Sequence, residues 1–180
     1  LREWPAQDRR QVVGVFTDID DTLTTEGAIT PDALDALVRL KQAGLPVVAI
    51  TGRPLGWSVP FAQTWPVDAI VAENGSVALV RGLQGLDRLY LQDAETRARN
   101  FARMEQVARR ILQEVPGAMV SQDTPGRETD IAIDHSEFTH LPAESITQVV
   151  QILQSEGMSA TVSSIHINGW YGGHNKLVGA

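Results

Sequence analysis

Three short apolar runs, VVGVF (12–16), LPVVAIT (45–51) and AIVA (69–72), alternate with helical or irregular segments, and this alternation restricts the fold more than any other feature of the chain. Runs of this length without polar alternation suit strands buried on both faces, as in parallel sheets. Between the first two, Thr30-Pro31-Asp32 opens a helix, with Thr as N-cap, Pro at the first helical position and an acid in the first turn. Ala33, Leu34, Leu37 and Leu40 follow at helical spacing, and Gly44 suits the C-terminal cap. The third run passes into Glu73-Asn74-Gly75, a strong turn signal, and then into a fourth run at 77–80. The order strand, helix, strand predicts an α/β fold with a Rossmann-like parallel sheet wound with helices.

After Gly82 the pattern changes. Ala94, Ala98, Phe101, Met104, Ala108, Ile111 and Val115 lie on one face of a long amphipathic helix. Strand-like runs at 118–122 and 129–135 follow, separated by a turn at Pro125-Gly126. A second helix, about 143–156, is closed by Gly157 and leads to runs at 158–163 and 165–170. Helix–strand–strand, twice over, predicts an inserted α+β layer with an antiparallel sheet. The expected division is therefore a core of residues 1–82 and 171–180 and an insertion of residues 83–170, with tight joints near Gly82 and at 169–173.

Composition narrows the functional classes. The chain of 180 residues is 43% hydrophobic and 21% charged, as in ordinary soluble domains. A formal net charge of −7 argues against nucleic acid or an anionic membrane as the main partner. Five arginines between Arg97 and Arg110 read as the solvated face of one helix. The absence of cysteine excludes disulfides, thiolate chemistry and sulfur-ligated zinc, and fits a reducing cytoplasm. No apolar run approaches the roughly 18 residues needed to span a bilayer. The opening LREWPAQDRR lacks the apolar segment of a secretory signal, and its initial Leu is expected to mark an incomplete translated chain.

The first apolar run ends in Asp18, Asp20 and Asp21. Carboxylates this close repel, and desolvating them at the edge of a core is costly. An EF-hand calcium loop starting at Asp18 requires Gly at its sixth position and Glu at its twelfth, where Leu23 and Ile29 stand. An acidic capping turn accounts for Asp21 and Thr22 but not for Asp18 at the C-terminal end of a buried strand, where ligands of open α/β sheets bind. Side chains two residues apart there can face one crevice. Asp18 can then attack phosphorus and form an aspartyl-phosphate, while Asp20 protonates the leaving oxygen and later deprotonates water. Repulsion between these carboxylates and a phosphate dianion calls for a hard cation, Mg2+. At the end of the second strand, Thr51 and Gly52 offer a hydroxyl and backbone N–H groups for phosphate oxygens, and Lys176 offers a neutralising charge.

FTDIDDTLTT, AITGRP and GGHNK resemble, in this order, the first motif, second motif and lysine motif of the haloacid dehalogenase-like phosphohydrolases. The AENGS turn and the following insertion resemble the branch with an α/β cap, which includes Cof-type, sucrose-phosphate and mannosyl-3-phosphoglycerate phosphatases. The resemblance covers residues 12–180. It implies Asp18 as nucleophile and metal ligand, and Asp20 as acid/base, ligating metal through its backbone carbonyl. It implies Thr51, Gly52 and Lys176 as phosphate holders, and Arg53 and Asn74 as substrate contacts. Arg127, beside the Pro-Gly turn of the cap, is expected to grip an anionic or sugar part of the substrate. His135, His140, His166 and His174 show no metal-site spacing and are read as structural. The family's fourth, acidic motif is absent, so the C-terminal part of the core with its further metal ligands is expected to be missing. The implied activity is Mg2+-dependent hydrolysis of a small phosphorylated metabolite, a sugar phosphate, by the complete protein. Phosphomutase activity and a non-catalytic phosphoryl-acceptor module are the alternatives.

Overall fold

The computed structural model describes residues 4–180, so the first three residues of the expected core segment lie outside the described residues. A single helical turn, α1 (Ala6–Arg9), precedes β1 (Val15–Asp18). A small hairpin follows, β2 (Thr24–Thr25) and β3 (Ala28–Ile29), whose two turn residues Glu26 and Gly27 both have positive φ, 52° and 77°. Such a turn matches the natural twist of a two-stranded ribbon.

Thr30 caps α2 (Pro31–Gln42), its hydroxyl accepting from the Ala33 N–H at 3.3 Å. Then come β4 (Val47–Ile50), α3 (Leu55–Thr64), β5 (Ala69–Ala72), a 3-10 turn at Glu73–Gly75, β6 (Val77–Gly82) and β7 (Gly85–Tyr90). The insertion contains α4 (Ala94–Glu114), β8 (Met119–Val120), β9 (Ile131–Asp134), α5 (Ala143–Ser155), β10 (Ser159–Val162) and β11 (His166–Trp170). A last turn of helix, α6 (Lys176–Gly179), returns to the core.

The larger sheet has the order β1-β4-β5-β6-β7. Its first three strands are parallel, and β6 and β7 run antiparallel. The antiparallel sheet of the insertion has the order β10-β11-β9-β8, the helix–strand–strand pattern read from the sequence. Each sheet has its own apolar core. Ile19, Leu37, Val47, Leu55, Ile70 and Leu79 belong to one; Met104, Ile111, Ile133, Val149, Leu153 and Ile167 belong to the other.

Two expectations are corrected. The first run was expected to be buried on both faces, yet β1 starts only at Val15 and pairs with β4 alone among the described residues. Phe16 is consequently 61% exposed. The domain boundary also moves. Residues 83–90 were assigned to the insertion, but Leu83 and Gln84 merely turn β6 into β7, which extends the core sheet. Leu86 and Tyr90 pack against the core cluster, so the insertion begins near residue 91.

Candidate active site

The acidic turn is organised around Ile19, which is fully buried between two aspartates directed elsewhere. Its carbonyl accepts from the N–H groups of Leu23 at 2.9 Å and Thr24 at 3.1 Å, and from the Thr24 hydroxyl at 3.1 Å. The backbone folds sharply enough to put Asp21 at φ 55°, a conformation Asp tolerates better than most residues. Asp18, Asp20 and Asp21 all line a cavity of about 870 Å³ between the core and the insertion, within the size range of small-molecule sites.

Lys176 reaches Asp18 from the far end of the chain, its Nζ donating to Oδ1 at 2.9 Å. Asn175 caps α6 by accepting from the N–H groups of Leu177 and Val178, both at 3.0 Å. The Glu73–Gly75 turn seats this helix. Gly75 has φ 104°, and a Cβ there would run into the Asn175 carbonyl. The turn therefore requires glycine both for its backbone conformation and for the close approach of α6.

Asp20 is engaged by the second strand. Its Oδ2 accepts from the Thr51 hydroxyl and its Oδ1 from Arg53 Nε, both at 3.0 Å. The Thr51 oxygen also accepts from the Arg53 N–H at 3.0 Å. Thr51 is fully buried and directs its hydroxyl at Asp20, whereas Gly52, Arg53, Asn74 and Lys176 line the cavity.

Arg127 does not line this cavity, which corrects the expectation that it grips substrate. Its side chain is 1% exposed, donating to Asp130 Oδ1 at 2.7 Å, Asp123 Oδ2 at 2.9 Å and the Gly52 carbonyl at 3.1 Å. A guanidinium so enclosed has no donor direction left for a ligand. Burial alone would lower its affinity for its proton, but Asp130 and Asp123 outweigh that and raise it. At Asp123 burial pushes the carboxyl up, but Arg127 outweighs it and holds the group below its ordinary value. Asp130 is fully buried, and burial pushes its carboxyl up despite Arg127, Asn74 and Asn168. Asn74 donates to Asp130 Oδ2 at 3.0 Å, so the insertion holds this cavity residue of the core in place.

Sequence reasoning missed a second seam. Glu73, read only as part of a turn, is fully buried. It accepts from the N–H of Leu55 at 2.9 Å, of Glu128 at 3.0 Å and of Thr129 at 2.6 Å, and from the Thr129 hydroxyl. Burial pushes its carboxyl up to about 7, with nearby Asp130 adding to the effect. It also missed Glu137, whose Oε2 accepts from His166 Nε2 at 2.8 Å on the cavity wall. His174 stacks on Trp170, with ring centroids 5.5 Å apart, and burial lowers its basicity. The arginines of α4 are partly engaged: Arg97 covers the Tyr90 ring, Arg103 the Tyr171 ring, and Arg110 pairs with Glu114 and Glu156.

No cluster of three metal-ligating side chains occurs among the described residues. Asp18 nevertheless keeps its second oxygen without a protein donor among them. A carboxylate oxygen completed by water and phosphate matches the way Mg2+ is usually held.

Residues 15–98 match the family model of the haloacid dehalogenase-like hydrolases. Solved structures are similar over nearly all of the chain, insertion included. A Thermoplasma acidophilum protein shares 15% identity over 91% of this chain and 66% of its own, with a TM-score of 0.71. The sucrose-phosphatase of Synechocystis sp. PCC6803, solved with sucrose and phosphate, shares 15% identity over 93% of this chain and 67% of its own, with a TM-score of 0.64. A trehalose-6-phosphate phosphatase related protein shares 16% identity over 91% of this chain and 70% of its own, with a TM-score of 0.62. At these identities the likeness establishes the fold, and the chain spans about two thirds of the first structure's length. No curated protein sequence matches the chain.

Proposed function

We propose that this chain carries the catalytic aspartates of a Mg2+-dependent phosphomonoesterase for a small phosphorylated metabolite, a sugar phosphate. The observation that carries the reading is the meeting of Asp18 and Lys176 at 2.9 Å on the wall of a cavity that also holds Asp20.

In the proposed reaction an Asp18 oxygen attacks phosphorus, forming a P–O bond as the bond to the leaving oxygen breaks. Asp20, in its acid form, gives its proton to that oxygen. It then takes a proton from water, whose oxygen attacks phosphorus, releasing inorganic phosphate and restoring Asp18. Both Asp20 oxygens are engaged in this structure, so proton donation requires Thr51 or Arg53 to yield one of them. Lys176 balances charge on Asp18 and the transferring group, and the Gly52 backbone borders the position of the phosphoryl oxygens. Mg2+ held by Asp18 and the Asp20 carbonyl would supply the positive charge that lets a carboxylate approach a phosphate dianion.

The names of the similar structures support a phosphorylated sugar, since one is a sucrose-phosphatase and another is related to trehalose-6-phosphate phosphatase. Turnover of p-nitrophenyl phosphate and a panel of sugar phosphates by the full-length protein tests the reading. Magnesium-dependent release of phosphate, lost in a folded Asp18→Asn variant, is expected. Substantial activity in that variant would overturn it.

A further inference from the structure

The wall of the cavity opposite the aspartates belongs to the insertion, and its chemistry is specific. Asp134, at the end of β9, is buried, and its carboxylate accepts from three successive N–H groups: Ser136 at 3.0 Å, Glu137 at 2.9 Å and Phe138 at 2.8 Å. That loop is also tied to the β10–β11 turn, since the Ser136 hydroxyl donates to the Ser164 carbonyl at 2.6 Å and His135 Nε2 to the Ser163 carbonyl at 2.9 Å. Glu137 is therefore carried on a fixed backbone. Its carboxylate is oriented by His166, which is 4% exposed and is itself held where the Ser163 hydroxyl accepts from its N–H at 3.0 Å. Glu137 lines the cavity, and its other oxygen has no protein donor among the described residues. Such an oxygen is a ready acceptor for a ligand O–H, and it needs no reorganisation to act as one.

Charge narrows the ligand further. Among the described residues, five carboxylates line the cavity: Asp18, Asp20, Asp21, Glu26 and Glu137. The two full cations among them, Arg53 and Lys176, both come from the core and are already paired with Asp20 and Asp18. The insertion brings no lysine or arginine to the cavity. It offers Ser164, Thr161 and Asn168, groups that hydrogen-bond neutral hydroxyls well. A second anionic group on the substrate, directed away from the phosphoryl end, would meet Glu137 and find no arginine or lysine beside it.

We infer that Glu137, oriented by His166, is a specificity-determining residue that selects a neutral polyhydroxylated leaving group and rejects one bearing a second anionic charge. This rests on the phosphatase reading above. It separates substrates that the reaction chemistry alone would treat alike: a hexose monophosphate is accepted, and phosphoglycolate or a sugar bisphosphate is disfavoured.

The test compares kcat/KM of the full-length protein for glucose 6-phosphate and phosphoglycolate, in the parent and in Glu137→Gln and Glu137→Lys variants. The parent is expected to favour the sugar phosphate by about tenfold or more, the scale of one hydrogen bond to a charged group. Glu137→Gln should shrink that ratio by a similar factor, and Glu137→Lys should invert it. A parent that prefers phosphoglycolate, or a ratio unchanged in both folded variants, overturns the inference. Turnover of p-nitrophenyl phosphate by the parent is read in parallel. If it is present, either of those results counts against Glu137 alone. If no ester is hydrolysed, the phosphatase reading fails and this inference fails with it.

Discussion

Arg127 of the insertion donates to the main-chain carbonyl of Gly52 at 3.1 Å, across 75 positions of sequence, and so ties the β8–β9 loop to the turn that follows the second core strand. The same loop approaches α3 so closely that Gly56 donates its N–H to the Gly126 carbonyl at 3.0 Å, glycine against glycine. With Glu73 gripping Glu128 and Thr129, this side of the insertion is fastened to the core behind the site.

Replacing Arg127 by Met should be strongly destabilising. The change leaves Asp130, which is fully buried, with Asn74 and Asn168 as its remaining donors and no countercharge. Breaking a buried pair in this way typically costs about 3–5 kcal/mol. Urea denaturation of the parent and variant measures the loss; a change below about 1 kcal/mol would show that the pair contributes little.

Glu73 predicts a pH dependence of stability. Its carboxyl rises from 4.5 to about 7 on folding, so the folded state holds that proton more tightly than the unfolded chain does. The associated stability is fully present below pH 4.5 and is lost as pH rises through about 7. The total is about 3 kcal/mol. Urea denaturation between pH 4.5 and 8 should therefore show the parent losing stability relative to Glu73→Gln. A constant difference between the two across that range would remove Glu73 from the account.

Lys176→Ala should lower kcat/KM by about a hundredfold to a thousandfold, the usual cost of deleting one preorganised group that stabilises transition-state charge. Steady-state kinetics check this. The side chain is half exposed and its loss should leave the fold intact, so unaltered kinetics would make the contact to Asp18 incidental.

Removing divalent metal with a chelator should abolish phosphate release, and Mg2+ should restore it. Full activity after exhaustive chelation would contradict a mechanism in which Asp18 approaches a phosphate dianion with help from a shared cation.

The local parts of the fold were legible because local physics decides them. Thr30-Pro31 starts α2 where a hydroxyl cap and a fixed φ predict a start. Phe101, Met104, Ala108 and Ile111 of α4 belong to the insertion's core as their spacing requires, while Ala94 and Ala98 of the first turns are exposed. The turn into β7 was misread although Gly82 and Gly85 flank two residues, a hairpin signal that was available. The exposure of Phe16 could not be read locally, because strand order is a property of the whole sheet.

The site shows the same division. Asp18 and Lys176 could be paired from motif order although they lie 158 positions apart. Arg127 could not be placed, because its neighbours Asp123 and Asp130 look in sequence like an ordinary charged loop. Only the docking of that loop on Gly52 and Asn74 buries them. Glu137 and His166 lie 29 residues apart with no shared motif, and only the folding of the insertion's sheet unites them.

The central claim is that Asp18 carries the phosphoryl group during turnover. Acid quenching of the full-length protein during steady-state hydrolysis, followed by peptide mass analysis, tests it most directly. The account predicts one phosphoryl group on the peptide containing Asp18, released by base and absent from Asp18→Asn. Sustained turnover with no phosphorylated aspartate, or with the group on another residue, would contradict it.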